Sequence, residues 1–238
     1  MNINQRLQNV IGSLVLVTAL SLAVSGQQPA SQERITEFKQ ALQKSQSQLR
    51  NYEWIETTTV SLKGEVKSRK QNRCYYGADG KVQKVPVGEA PPQEQQGRRG
   101  RLKAKIVANK KEELTDYMER AVSLIHKYVP PEPQMIQFAK DNGKASYDAF
   151  EPNKVIRLSL HDIIQTGDLM TATLNIQSNG ILDIKVSTYL DSPQDAVMLG
   201  VTFGTLPDGT SYAGQTTLDA NAKNVKVVVE NTGHRRTN

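Results

Sequence analysis

The sequence predicts an α+β fold: a curved antiparallel sheet of about nine strands with helices packed on its concave face. Three observations carry this. Between 154 and 231, apolar residues recur at every second position, as in Ile156, Leu158 and Leu160, or Val225, Val227 and Val229. Strand side chains alternate between faces, so this stretch builds one apolar and one wet face over about six strands. A shorter group of three strands precedes it, and helical patterns lie before and between the groups. Neither strand group is large enough to bury its own apolar face. One continuous sheet with helices against one side satisfies both.

The chain begins with a segment outside this fold. Arg6, an apolar run from Val10 to Val24, and the small residues Ala23, Ser25 and Gly26 form a secretory signal pattern. The run is short for a membrane span. Residues 1–26 are therefore read as a cleaved signal peptide and 27–238 as a single domain, periplasmic or secreted. An uncleaved N-terminal anchor is the alternative. No cysteine follows the run, so the chain is not expected to be a lipoprotein.

Ser31 can cap a helix running to about Asn51, with Ile35, Phe38, Ala41, Leu42 and Leu49 on one side. A strand follows from Tyr52 to Leu62, placing Trp54, Thr58, Val60 and Leu62 on one face. A turn at Lys63-Gly64 leads to a strand from Val66 to about Tyr76, and Asp79-Gly80 leads to a third from Lys81 to Val87. Gly88 to Arg101 has no periodicity and no large apolar side chain, and reads as a mobile loop. Asn109 and Glu112 resemble a capping box opening a helix that carries Leu114, Met118, Ala121, Val122 and Ile125. Pro130 and Pro131 forbid its continuation. A shorter helix, about Pro133 to Asp141, presents Met135, Ile136 and Phe138, and Asn142-Gly143 ends it. In the closing run, Asn179-Gly180 and Asp208-Gly209 stand where hairpin turns with two positive φ angles are expected.

Charge is unevenly spread. The net charge is +6, but residues 63–111 hold fourteen Lys or Arg against four Asp or Glu. The candidate basic patch comprises Lys67, Arg69, Lys70 and Arg73 on one strand, then Arg98, Arg99 and Arg101. With export expected, its partners would be lipid headgroups, acidic glycans or an acidic protein surface rather than nucleic acid. A solvated strand face with a charge-rich loop explains the same residues.

Catalytic and metal patterns are missing from the sequence. His126, His161 and His234 form no HExxH, no cysteine pair could hold zinc, and no G-x-S-x-G elbow holds a serine for His161. No phosphate-binding glycine loop occurs, and no cofactor is expected. Cys74 is the only cysteine, read as a thiol tucked into a sheet.

Helix, antiparallel sheet, helical insertion and a closing run of hairpins, spanning Ser31 to Asn231, resemble the LolA/LolB-type lipoprotein carriers and their mycobacterial lipid-binding relatives. That resemblance implies a curved, incomplete barrel capped by helices, with acyl chains held between. No functional motif is carried over residue by residue. Under this reading Trp54, Val60, Leu62, Leu174, Ile184, Val186, Val201 and Phe203 line the sheet side of an apolar site. Met118, Val122, Ile125 and Phe138 form its helical lid. The expected function is that of a monomeric, non-enzymatic carrier for lipid, lipoprotein or another apolar ligand. The alternative is a module with a filled core that docks an anionic envelope partner through the basic 63–111 region.

Overall fold

The computed structural model describes residues 40, 43–88, 101–151 and 154–237, and the side chains among them except those of 101–111 and 133. The signal pattern, the first turns of the first helix, and most of the 88–101 loop lie outside the described residues.

Ten strands form one sheet: β1 (Tyr52–Leu62), β2 (Glu65–Tyr76), β3 (Val82–Pro86), β4 (Ala145–Glu151), β5 (Val155–His161), β6 (Leu169–Asn175), β7 (Gly180–Tyr189), β8 (Ala196–Thr205), β9 (Ser211–Ala220) and β10 (Val225–Arg236). Every neighbouring pair is antiparallel, in the order β3-β2-β1-β10-β9-β8-β7-β6-β5-β4. The sheet is open, and β3 and β4 are its two edges. Among the described residues three α-helices accompany it: α1, whose last turns are 43–49, α2 (Arg101–Ile125) and α3 (Pro133–Asp141).

The expected curved antiparallel sheet is present, with one strand more than expected. The added strand is β4, whose Ala145, Tyr147 and Ala149 share one side but carry no aliphatic alternation to reveal it. The β10 strand also runs on to Arg236, past the end of its valine pattern. Within α2, Asn109 is an interior residue and not a cap. The segment Arg101–Ala108 is rich in Leu, Lys and Ala, all good helix formers, so the helix starts two turns earlier.

Turn chemistry differs from expectation at two sites. Lys63 and Gly64 both have positive φ, 54° and 81°, giving the tight hairpin between β1 and β2. At Asn179-Gly180 only Asn179 does, at 50°. There the Asn175 carboxamide oxygen accepts the N–H groups of Gln177 and Ser178, so a longer loop starts at Asn175. At Asp208-Gly209 only Gly209 is left-handed, at 84°, and Leu206 accepts its N–H.

Register lines up the core. One row across the sheet reads Leu160, Met170, Val186, Leu199, Leu218, Val227, Val60. The next reads Leu158, Ala172, Ile184, Val201, Thr216, Val229, Thr58. Onto this face α2 presents Met118, Ala121, Val122 and Ile125, spaced one helical turn apart, and all are buried.

Topology explains why a helix lies there. The chain leaves the sheet at one edge, β3, and re-enters at the other, β4. Ten strands at about 4.8 Å spacing measure about 43 Å across. The 25 residues of α2, at about 1.5 Å each, span roughly 37 Å. The helical insertion is therefore a strap whose length matches the width it crosses.

Candidate functional site

The apolar face and its helical strap form the candidate site. Proceeding along α2, its polar contacts step across the sheet. The Lys223 ammonium, in the 3-10 turn before β10, donates to Glu113 at 2.7 Å. Tyr117 then donates its hydroxyl to Asp195, and the Arg120 guanidinium pairs with Asp191, both acids lying between β7 and β8. The Arg120 and Lys223 pairs are solvent-exposed.

Beyond the end of α2 the attachment changes character. Tyr128 is fully buried and donates to Asp168 at 2.7 Å, with the Thr188 hydroxyl at 2.8 Å. The Asp168 carboxylate, also buried, accepts the backbone N–H groups of Ile163, Ile164 and Gln165 at 2.8–2.9 Å. Burial, then the neighbouring carboxylate, pushes the Tyr128 phenol well above its usual range. A buried carboxylate is costly unless fully hydrogen-bonded, and this one is. The strap thus has one fixed end and a flank held at the surface.

Of the residues named for the sheet side, Leu174, Ile184, Val186 and Val201 are buried in one cluster, with Val60, Leu62 and Phe203 packed against it. From the lid, Met118, Val122 and Ile125 join the same cluster. Phe138 does not: it is 48% exposed, with the Lys144 ammonium 5.4 Å from its ring centre. The buried residues of α3 are Ile136 and Ala139. Near the β4 edge Tyr147 is 56% exposed although the register places it beside buried Leu158.

Trp54 is buried but stands apart from that cluster. Its indole N–H donates to Asn231 at 3.0 Å, His234 stacks on it at 5.8 Å, and Tyr76 lies at 5.8 Å. Tyr212 continues the ring chain beyond His234 at 4.0 Å. Alongside, buried Glu56 accepts both hydrogen bonds of the Lys84 ammonium, at 2.6 and 2.8 Å. Cys74 is fully buried between them in register with Trp54 and Lys84. Burial, reinforced by Glu56, pushes its thiol up to about 12, so it is protonated and unreactive. Neither the Glu56–Lys84 pair nor the Tyr128–Asp168 anchor was legible in sequence, since each joins residues with no local pattern between them.

The basic residues separate. Register puts Arg69 and Arg73 on the face turned away from α2, and Lys70 on the other face, opposite buried Thr58. Lys67 is the extra residue of a bulge and pairs with Glu65. Arg98 and Arg99 lie outside the described residues, and Arg101 opens α2. His161 is exposed at the end of β5. Among the described residues no group of His, Cys, Asp and Glu could hold a metal ion, and no helix is long and apolar enough to cross a membrane.

No family model and no curated protein matches the chain. Among solved structures it is similar to the crystal structure of a DUF1329 family protein from Desulfovibrio piger. The sequence identity is 11% and the TM-score 0.39, with 87% of this chain and 92% of that one covered. A likeness at that level carries no functional argument.

Proposed function

We propose that the protein is a non-enzymatic carrier for lipidated or otherwise apolar ligands of the cell envelope, with α2 as a strap over the binding face. The observation that carries this is the unequal fastening of α2. Its C-terminal end is tied into the buried Tyr128–Asp168–Thr188 network, while Glu113 and Arg120 hold it through exposed ion pairs. Exposed pairs contribute about 0–1 kcal/mol each, so the ion pairs of the flank release at small cost, and the Tyr117–Asp195 bond is the one part-buried polar contact described there that must break with them. An acyl chain entering beneath would replace the contacts of Met118, Val122 and Ile125 with its own, at about 0.8 kcal/mol per methylene.

Native mass spectrometry of the protein from its own envelope fraction, followed by organic extraction, tests this. Co-purifying lipid or acylated peptide is expected, as is uptake of a fluorescent fatty acid. Uptake should stop when Arg120→Cys and Asp191→Cys are bridged by a short bismaleimide. A clean apo mass with no probe uptake overturns the proposal.

A second reading rests on Arg69 and Arg73, which project from the same face of β2 with Gln71 between them. In it the protein docks an anionic partner through this face. Binding that weakens with added salt, and with Arg69→Glu and Arg73→Glu, supports it.

A further inference from the structure

The outward face of β1–β2–β3 combines two features. Register places Val66, Arg69, Gln71, Arg73 and Tyr75 of β2 on that side, with Val85 beside Arg73 on β3 and Val87 bonded to Gln71 just beyond it. Val66 is 62% exposed, Val87 48% and Val85 40%, although an aliphatic side chain normally turns to the core. The cations stand among them, and the Arg73 guanidinium lies 5.9 Å from the Tyr75 ring centre.

Acidic groups cancel only part of this charge, because Arg73 shares its one acidic partner, Glu53, with Arg235. Glu65 is engaged by Lys67, and Glu53 by Arg235 and Arg73. Arg69 makes no ion pair among the described residues. Three strands make a strip about 10 Å wide, and the ten residues from Val66 to Tyr75 make it about 30 Å long.

From this face we infer that the protein docks on an anionic lipid surface through the outward side of β1–β2–β3. Arg69 and Arg73 meet the headgroups, and Val66, Val85 and Val87 enter the interfacial layer. A free anion or an acidic polymer would engage the arginines and leave the valines in water. A bilayer takes up both, because its headgroup layer is charged and the zone beneath it apolar. The inference rests on the second reading above and narrows its partner to lipid.

Sedimentation with phosphatidylglycerol and phosphatidylcholine vesicles tests it, with soluble polyglutamate as the polyanion without an apolar layer. Binding to phosphatidylglycerol alone is expected, weakening as salt is added. Each cation near an anionic surface contributes about fivefold, so Arg69→Gln with Arg73→Gln should weaken binding roughly 25-fold. Val66→Ser, Val85→Ser and Val87→Ser together should weaken vesicle binding about tenfold or more and leave polyglutamate binding unchanged. Lys127→Gln, a charge loss elsewhere on the surface, should change neither by more than about twofold. All these side chains are exposed or nearly so, and an unchanged urea midpoint verifies folding. Vesicle binding indifferent to the valines, or polyglutamate binding without vesicle binding, overturns the lipid assignment and leaves the anionic-partner reading standing. Binding to neither removes both.

Discussion

Removing one hydroxyl at the fixed end of the strap should loosen it measurably. In Tyr128→Phe the ring remains, so no cavity opens, and the Asp168 carboxylate loses one of four donors. It keeps the N–H groups of Ile163, Ile164 and Gln165. Thr188 keeps the Gln165 carboxamide at 2.8 Å. What is lost is the buried hydrogen bond to a charged acceptor, worth about 2 kcal/mol, together with the weaker one shared with Thr188. For a chain of this size that lowers the thermal midpoint by roughly 4–8 °C. Asp168→Ala is harsher, because it orphans three backbone N–H groups and leaves the Tyr128 hydroxyl with Thr188 alone, and should exceed about 4 kcal/mol. Urea unfolding followed by the fluorescence of Trp54, the only tryptophan, measures both. Hydrogen exchange should quicken in the last turns of α2 and in 162–168 before it does in β8 or β9. A Tyr128→Phe protein within about 0.5 kcal/mol of the parent would refute the anchor.

Gly204→Ala should destabilise by about 1–3 kcal/mol, because the added methyl would meet the Tyr212 ring at 2.8 Å. Tyr212→Ala should relieve most of that cost in the double variant, and urea midpoints decide. Burial holds the His234 imidazole below its ordinary value near 6.5. The unfolded chain therefore takes up this proton first. Stability is full above about pH 6.5 and falls as pH drops through the folded value, a slope that His234→Gln should flatten. The Cys74 thiol should react with maleimide only when the protein opens, in step with the urea transition. Labelling of the native protein within minutes at neutral pH would contradict its burial.

Much of the fold was legible because alternation is a strong signal wherever one sheet face is buried. β1 runs from Tyr52 to Leu62, as read from Trp54, Thr58, Val60 and Leu62. The six closing strands fall on their apolar residues for the same reason. β4 escaped because an edge strand buries little: six of its seven residues are exposed, so nothing required an aliphatic pattern. The start of α2 escaped because a capping fingerprint at Asn109 and Glu112 also satisfies a helix interior. The named lining residues were readable as an apolar set, but which helical face meets them is a tertiary fact. Phe138 shows this, being apolar and helical yet turned outward over Lys144. The basic strand was readable as a composition, and only the bulge at Lys67 and the pairing with β1 sort Arg69 and Arg73 from Lys70.

The topology ties these features together. Because β1 pairs with β10, the two hairpin groups fuse between the third and fourth strands of the sheet, and the free edges β3 and β4 end up farthest apart. The chain between them must cross the full width, whatever its sequence. Evolution of this insertion is then constrained in length, and a helix meets the constraint at the least number of unsatisfied backbone groups. A crossing helix must cover the apolar rows, yet it need not be fastened evenly. Here the fastening is buried and fully hydrogen-bonded near β6 and β7, and exposed near β10. Among its described polar contacts, movement of such a strap costs least at Glu113, beside the turn between β9 and β10.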